Sequence, residues 1–476
     1  MSTTYSASRR HFLRATSSLA ATGALRNSVP LATSLAGLAA LASQGSSAAD
    51  LSGSYKALVC LFMHGGNDSH NWVVPLDAVD YAEYAKARQE LAWPTHKLMP
   101  ISVSSQTAGR SFGMPEELAP LRKWYEAGQA AIVANVGPLV RPITRADFQA
   151  GIGLPAKLFS HNDQASTWQS LSPEGARSGW GGRMGDILMS ANAYPIFTAV
   201  SATGNAVFLS GSNTTQFQVG PEGPVAPSGI SSSSIFGSAT APATLRRLLT
   251  TQGTDPLQVE YVRIAQRGLA ANGVLQATLP GSNVLAVPST RIMLGTGSSL
   301  TLDQDALARQ LRMVAQLVAA GPTLGMRRQV FMVSLSGFDS HANQMRDQPG
   351  LMARVALGVD YFLTAMSGLG MLNNVTLFTA SDFGRTLLSN GDGSDHGWGS
   401  HHFVAGGAVV GRNVYGQFPT MALGSNDDVG SGRLLPSTSV TQYAATLAGW
   451  MGLNAAEQRM VLPNLGNFST GSLGFL

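Results

Sequence analysis

Beyond residue 50 the chain alternates two kinds of segment. Apolar runs of strand length, each closed by a polar, glycine-containing loop, fall at 57–63, 130–136, 196–200, 329–335, 375–379 and 403–410. Runs apolar at every position, rather than at every second one, are the signature of parallel strands covered on both faces. Between them lie stretches with apolar residues at helical spacing, at 77–91, 115–127, 181–189, 303–320, 351–366 and 439–451. Strand and helix patterns in alternation predict an α/β fold with a doubly wound, mostly parallel sheet.

The alternation is interrupted once. From 210 to 241 the chain turns to Gly, Ser, Thr, Pro and Asn with almost no charge, then gives a helical pattern over 254–271 and an irregular stretch over 279–299. The expectation is a cap insertion at about 205–300 within one domain spanning 50–476. A chain of 476 residues, 44% hydrophobic, can bury a large core. Its single cysteine, Cys60, lies inside the first apolar run, where a buried thiol is expected, and it excludes an intramolecular disulfide.

Charge changes the picture at the N-terminus. Arg9, Arg10, Arg14 and Arg26 precede Asp50 with no acidic residue among them, so the remainder carries 27 bases against 27 acids. That neutrality, without a Lys/Arg run, offers no electrostatic footprint for nucleic acid. Ser8-Arg9-Arg10-His11-Phe12-Leu13, an Ala/Leu/Ser stretch and the small residues Ser47-Ala48-Ala49 compose a twin-arginine export signal over 1–49. Arg26 and Pro30 break its apolar part, and no transmembrane segment is expected after its removal. The expected location is periplasmic or secreted.

Candidate chemistry is concentrated in loops. Seven of the nine histidines (His64, His70, His161, His341, His396, His401 and His402) sit in short segments that also carry Asp or Asn. His64-Gly65-Gly66-Asn67-Asp68, Gly337-Phe338-Asp339-Ser340-His341 and Ser381-Asp382-Phe383-Gly384-Arg385 each follow an apolar run, where open α/β sheets collect ligands. Ser160-His161-Asn162-Asp163 opens a predicted helix, and Asp395 to His402 leads into the last run. Mixed Asp and His donors suit Zn²⁺ or Mn²⁺ better than Mg²⁺ or Ca²⁺. A pair of such ions would clamp both oxygens of an in-line displacement at phosphorus or sulfur.

In this order, with the twin-arginine leader, these motifs resemble domain-of-unknown-function family 1501. The resemblance implies an alkaline-phosphatase and sulfatase-like fold, with metal-bound Asp and His at strand ends and a Ser or Thr nucleophile at a helix start. Transferred position by position, it implies Asp68, Asp339, His341, Asp382 and His396 or His401 as ligands of one or two divalent ions, and Ser160 as nucleophile. Asp382 is followed by Phe383 where that superfamily commonly has His, and Asp339 and His341 are spaced more tightly than its usual pair.

Plainer roles stand beside these. Asp68 fits ordinary turn chemistry, and Ser160-x-x-Asp163 fits a capping box. Adjacent His401 and His402 cannot easily face one ion. Arg385 could clamp a phosphate or sulfate as a catalytic residue, or pair with a carboxylate. The leading expectation is an exported metal-dependent hydrolase of phosphate or sulfate esters, acting on a small-molecule or polymer substrate. The alternative is an inactive exported protein that keeps the fold to bind or assemble a protein partner. An α/β-hydrolase is excluded by the absence of any Gly-x-Ser-x-Gly elbow.

Overall fold

The computed structural model describes residues 51, 53–103, 105–106, 109–224, 229–281 and 285–476. The export signal expected at 1–49 lies outside the described residues. Residues Ala49–Leu476 form one compact unit.

The central sheet runs β10-β2-β9-β6-β1-β5-β3-β4 and ends on the short Gly223–Pro224. In chain order, β1 is Lys56–His64, β2 Ala130–Gly137, β3 Ala199–Ser201, β4 Phe217–Gly220, β5 Arg328–Ser336 and β6 Val375–Ser381. A side hairpin of β7 (Arg385–Ser389) and β8 (Ser394–His396) precedes β9 (Ser400–Ala405) and β10 (Val414–Tyr415). β6, β1 and β5 lie side by side inside the sheet because both their faces are apolar. Ala57, Val59, Leu61 and Met63 of β1 face one core, against helices α6 (Ala306–Ala320) and α7 (Gln344–Gly368). Leu58, Cys60 and Phe62 face the other, against α3 (His161–Ser170), α4 (Trp180–Leu188) and α8 (Val440–Trp450). Of the remaining helices, α1 is Ala78–Arg88, α2 Ala119–Glu126 and α5 Pro256–Thr278. Local chemistry sets the helix starts: Asp77 accepts from the Asp80 amide, Asp305 from the Ala308 amide, and Ser439 with Gln442 completes a capping box.

The mixed α/β fold with a mostly parallel central sheet is as expected, with three local differences. β9 is antiparallel to both β6 and β2, and it covers 400–405 rather than 403–410. Part of the expected insertion, β4, belongs to the main sheet, pairing in parallel with β3 through Val200 and Phe217. The rest of it forms a helix Ala241–Thr250, α5 and a small antiparallel pair, Arg291–Met293 with Ser299–Thr301. Finally, α7 begins at Gln344, before Pro349, where the pattern suggested 351.

β6, β1 and β5 are adjacent and parallel, with Met63 opposite Ser381 and His64 opposite Ser336. Their carboxyl ends therefore deliver the three polar loops to one rim.

Candidate metal centre

Close passage of the loops depends on glycine. Gly65 has φ +115° and a Cβ there would lie 2.4 Å from the Asp339 amide nitrogen, so only glycine lets the β1 loop run against the β5 loop. Gly66, at φ +82°, lies against the Phe383 ring in the same way. The loops are then tied together. The Gly65 amide donates to Asp382 Oδ2 at 3.1 Å, the Asn67 amide to Ser381 Oγ at 2.8 Å, and the Phe338 amide to the His64 carbonyl at 3.2 Å.

Asp339 is the hub at this rim. His161 Nε2 lies 3.5 Å from its Oδ2, while His341 Nε2 and His396 Nε2 lie 3.1 Å and 3.6 Å from its Oδ1. Among the described residues, His161, Asp339 and His396 form the group of potential ligands whose donor atoms all lie within 4.8 Å of one another. His341 joins it through His396, the two Nε2 atoms being 2.9 Å apart.

The other nitrogen of each ring is committed. His161 Nδ1 is 2.8 Å from Asp382 Oδ2, His341 Nδ1 is 3.0 Å from Asp395 Oδ1, and His396 Nδ1 is 2.8 Å from the Phe159 carbonyl oxygen. Carboxylates and carbonyls accept hydrogen bonds, so each Nδ1 is the donor, and in the neutral form of each ring the lone pair is left on Nε2. Two such lone pairs facing each other at 2.9 Å require a proton or a cation between them. Tetrahedral bonds of ~2.0–2.1 Å would place ligand atoms roughly 3.3 Å apart, close to the 3.1–3.6 Å that separate the three Nε2 atoms from Asp339. The donor set therefore fits a divalent ion that favours imidazole. With Asp339 47% and His341 44% exposed, the centre opens to solvent, as a site that admits a substrate must.

Charge supports the same polarity. Burial pushes the Asp339 carboxyl upward, but Arg385, 2.7 Å from Oδ1, together with His161 and His341, outweighs it and holds the group below its usual range. The hydrogen bond to Asp382 raises His161. Desolvation and the neighbouring His161, Arg385 and His341 lower His396, against the pull of the Phe159 carbonyl.

Several residues nominated from the sequence have other partners. Asp68 is buried and paired with Arg88, and it also accepts from Gln344 Nε2; it is not in the group. His401 is a correction. It sits where β9 slips register against β2, accepts from the Asn135 amide at 3.1 Å, stacks on Phe418 at 4.4 Å, and is buried well away from solvent. His402 points to the opposite face, against Trp168. Asp382 touches the group through His161 as an orienting carboxylate. Arg385, buried completely, uses both Nη groups on Asp339, the Gly65 carbonyl and the Ser394 carbonyl, and its Nε is buried out of reach, which leaves no fork for a substrate anion. Ser160 Oγ donates to Asp163 Oδ2 at 2.8 Å, and that bond lowers the Asp163 carboxyl. A carboxylate so stabilised is a weak base for its partner hydroxyl. Sequence reasoning saw His161 in its cluster but assigned the chemistry to the neighbouring serine. The available signal was its place as first residue of α3, which aims its ring out of the helix start toward the rim.

Residues 286–462 match the model of the family described as "Protein of unknown function (DUF1501)". The matched segment covers 177 of the chain's 476 residues. It contains Asp339, His341, Asp382 and His396 but not His161. No curated protein matches the chain. Among solved structures, the chain is similar to Ps i-CgsB in complex with k-i-k-neocarrahexaose, at 11% identity and TM-score 0.32, over 87% of this chain and 77% of that one. It is similar to a 2-O GAG sulfatase, at 11% identity and TM-score 0.29, over 85% and 72% of the two chains. The PsFucS1 sulfatase from Pseudoalteromonas sp. is 8% identical with TM-score 0.31, over 87% and 70%. Likeness at this level carries no argument about the site. Among the described residues, no helix is long and apolar enough to cross a membrane.

Proposed function

We propose that this protein is a metal-dependent hydrolase of phosphate or sulfate esters, exported by the twin-arginine route, with one divalent ion, Zn²⁺ or Mn²⁺, held by His161, Asp339, His341 and His396. The observation that carries the reading is the convergence of three Nε2 lone pairs on one carboxylate, each ring fixed through Nδ1. When bound, such an ion supplies Lewis-acid polarisation and charge neutralisation at an ester oxygen. Asp382, Asp395 and the Phe159 carbonyl orient the ligands, and carboxylate–histidine pairs of this kind also raise ligand basicity. Arg385 keeps Asp339 ionised and in place. Because Ser160 is bonded to a weak base, we assign the attack to water rather than to the serine.

The test is metal analysis of the purified mature protein, together with turnover of 4-nitrophenyl sulfate and 4-nitrophenyl phosphate by wild type and Asp339→Asn. Stoichiometric zinc or manganese, lost with turnover in the variant, supports the reading. A metal-free wild type inert toward both esters after reconstitution would defeat it. The second reading, an inactive exported binding protein with the same fold, is favoured by the Ser160–Asp163 bond, which leaves the Ser160 hydroxyl without a strong base. Stoichiometric metal without turnover would select it.

A further inference from the structure

His396 is held at its ring by Phe159 and at its carbonyl by Arg433, both remote in sequence. Its Nδ1 bonds to the carbonyl of Phe159, at 2.8 Å, and Phe159 has φ +69°, a left-handed conformation that a bulky residue adopts only when its surroundings impose it. Arg433 supplies those surroundings. Its guanidinium lies over the Phe159 ring, 5.0 Å from the centroid, while its Nε donates to the His396 carbonyl at 3.0 Å and Nη1 to the Gly430 carbonyl at 3.3 Å. One planar group thus touches both partners of the Nδ1 hydrogen bond. The turn that presents it is itself unusual, with Gly430, Ser431 and Gly432 all at positive φ. The Phe159 ring adds to a small apolar cluster with Leu139, Trp398 and Leu435, which anchors the loop from the other side.

We infer that Arg433 is a positioning residue: by clamping Phe159 onto His396 it fixes the His396 tautomer and aims Nε2 at Asp339. Its consequence for metal affinity rests on the function proposed above, whereas its consequence for the tautomer does not. A flat guanidinium stacks on the Phe159 ring while its edge reaches the His396 and Gly430 carbonyls in fixed directions; a compact ammonium at the same place does not reproduce that fork. Lysine should therefore fail to substitute.

The experiment uses the full mature chain with ¹⁵N-labelled histidine, as wild type, Arg433→Met, Arg433→Lys, Phe159→Leu and His161→Ala. Three quantities are measured: imidazole ¹⁵N resonances of His396 without metal, zinc affinity by competition with a chelator, and unfolding of the metal-free protein. Wild type should show His396 protonated at Nδ1. Arg433→Met and Arg433→Lys should lose that single-tautomer signature and bind zinc about 10–100-fold more weakly, the range for removing an outer partner of a metal-bound histidine, with metal-free unfolding close to wild type. Phe159→Leu keeps the carbonyl but loses the stacking surface, and should weaken zinc binding in the same direction. Unchanged tautomer and affinity in both Arg433 variants, with binding abolished in His161→Ala, would overturn the clamp while leaving the metal centre standing. If wild type binds no zinc, the proposed function fails, and the ¹⁵N signature alone decides whether Arg433 sets the tautomer.

Discussion

The buried pair of Asp68 and Arg88 separates two roles for the same carboxylate. Both side chains are 0% exposed. Arg88 also donates to the Thr386 carbonyl at 2.9 Å, so it links the β1 loop to the β7 strand. Replacing Arg88 by Met leaves the Asp68 carboxylate in the interior without its ion-pair partner, with the Gln344 amide as its remaining hydrogen-bond donor. Breaking a buried pair from one side typically costs about 3–5 kcal/mol. Removing both charges in Asp68→Asn/Arg88→Met takes away the uncompensated ion and should recover about half of that loss or more. The assay is urea unfolding with linear extrapolation, together with zinc content of the single variant Asp68→Asn. If Asp68 is structural, Asp68→Asn loses stability and keeps its zinc. The reasoning is refuted if Arg88→Met costs under about 1 kcal/mol, if the double variant is no better than that single one, or if Asp68→Asn loses metal while remaining folded.

Three further outcomes are expected. His161→Ala should abolish zinc binding, whereas His401→Ala should leave it intact and lower stability by a few kcal/mol as a core truncation; equal metal loss in both would return His401 to the centre. Asp382→Asn retains a side chain beside His161 but loses the carboxylate, so zinc affinity should fall about 10–100-fold; isothermal titration showing no change would remove its orienting role. Acid stability is set partly by His70 and His402, which burial lowers to about 4 and about 3. Both are neutral, folded or unfolded, above about pH 6.5 and contribute nothing there. Below it the unfolded chain takes up protons that the folded chain refuses, so stability falls by about 1.4 kcal/mol per pH unit per residue, about 2 kcal/mol each at pH 5, until each folded value is reached. Urea midpoints compared at pH 7 and pH 5 in wild type and His402→Gln check this; a loss of the same size in the variant would contradict it.

The sequence by itself determined the inner strands β1, β5 and β6, their common direction, and the loops that carry chemistry. An apolar run covered on both faces has few other places to go than the middle of a parallel sheet, and the loop that follows must surface at its carboxyl end. Asp339 and His341 were legible for that reason, and His396 through the Asp and His composition of its segment. What tertiary structure alone decided was which donor each acid and imidazole would find. Asp68 follows β1 as a ligand would, yet Arg88, 20 residues on, takes it inside. His401 and His402 are adjacent, and pairing of β9 with β2 sends one ring to each face of the sheet, neither to the rim. Asp382 and His161 are 221 positions apart, so nothing local could reveal that one steers the other. Spacing along a chain fixes direction and face, because those repeat with the backbone; it cannot fix a partner, because that depends on how distant segments pack.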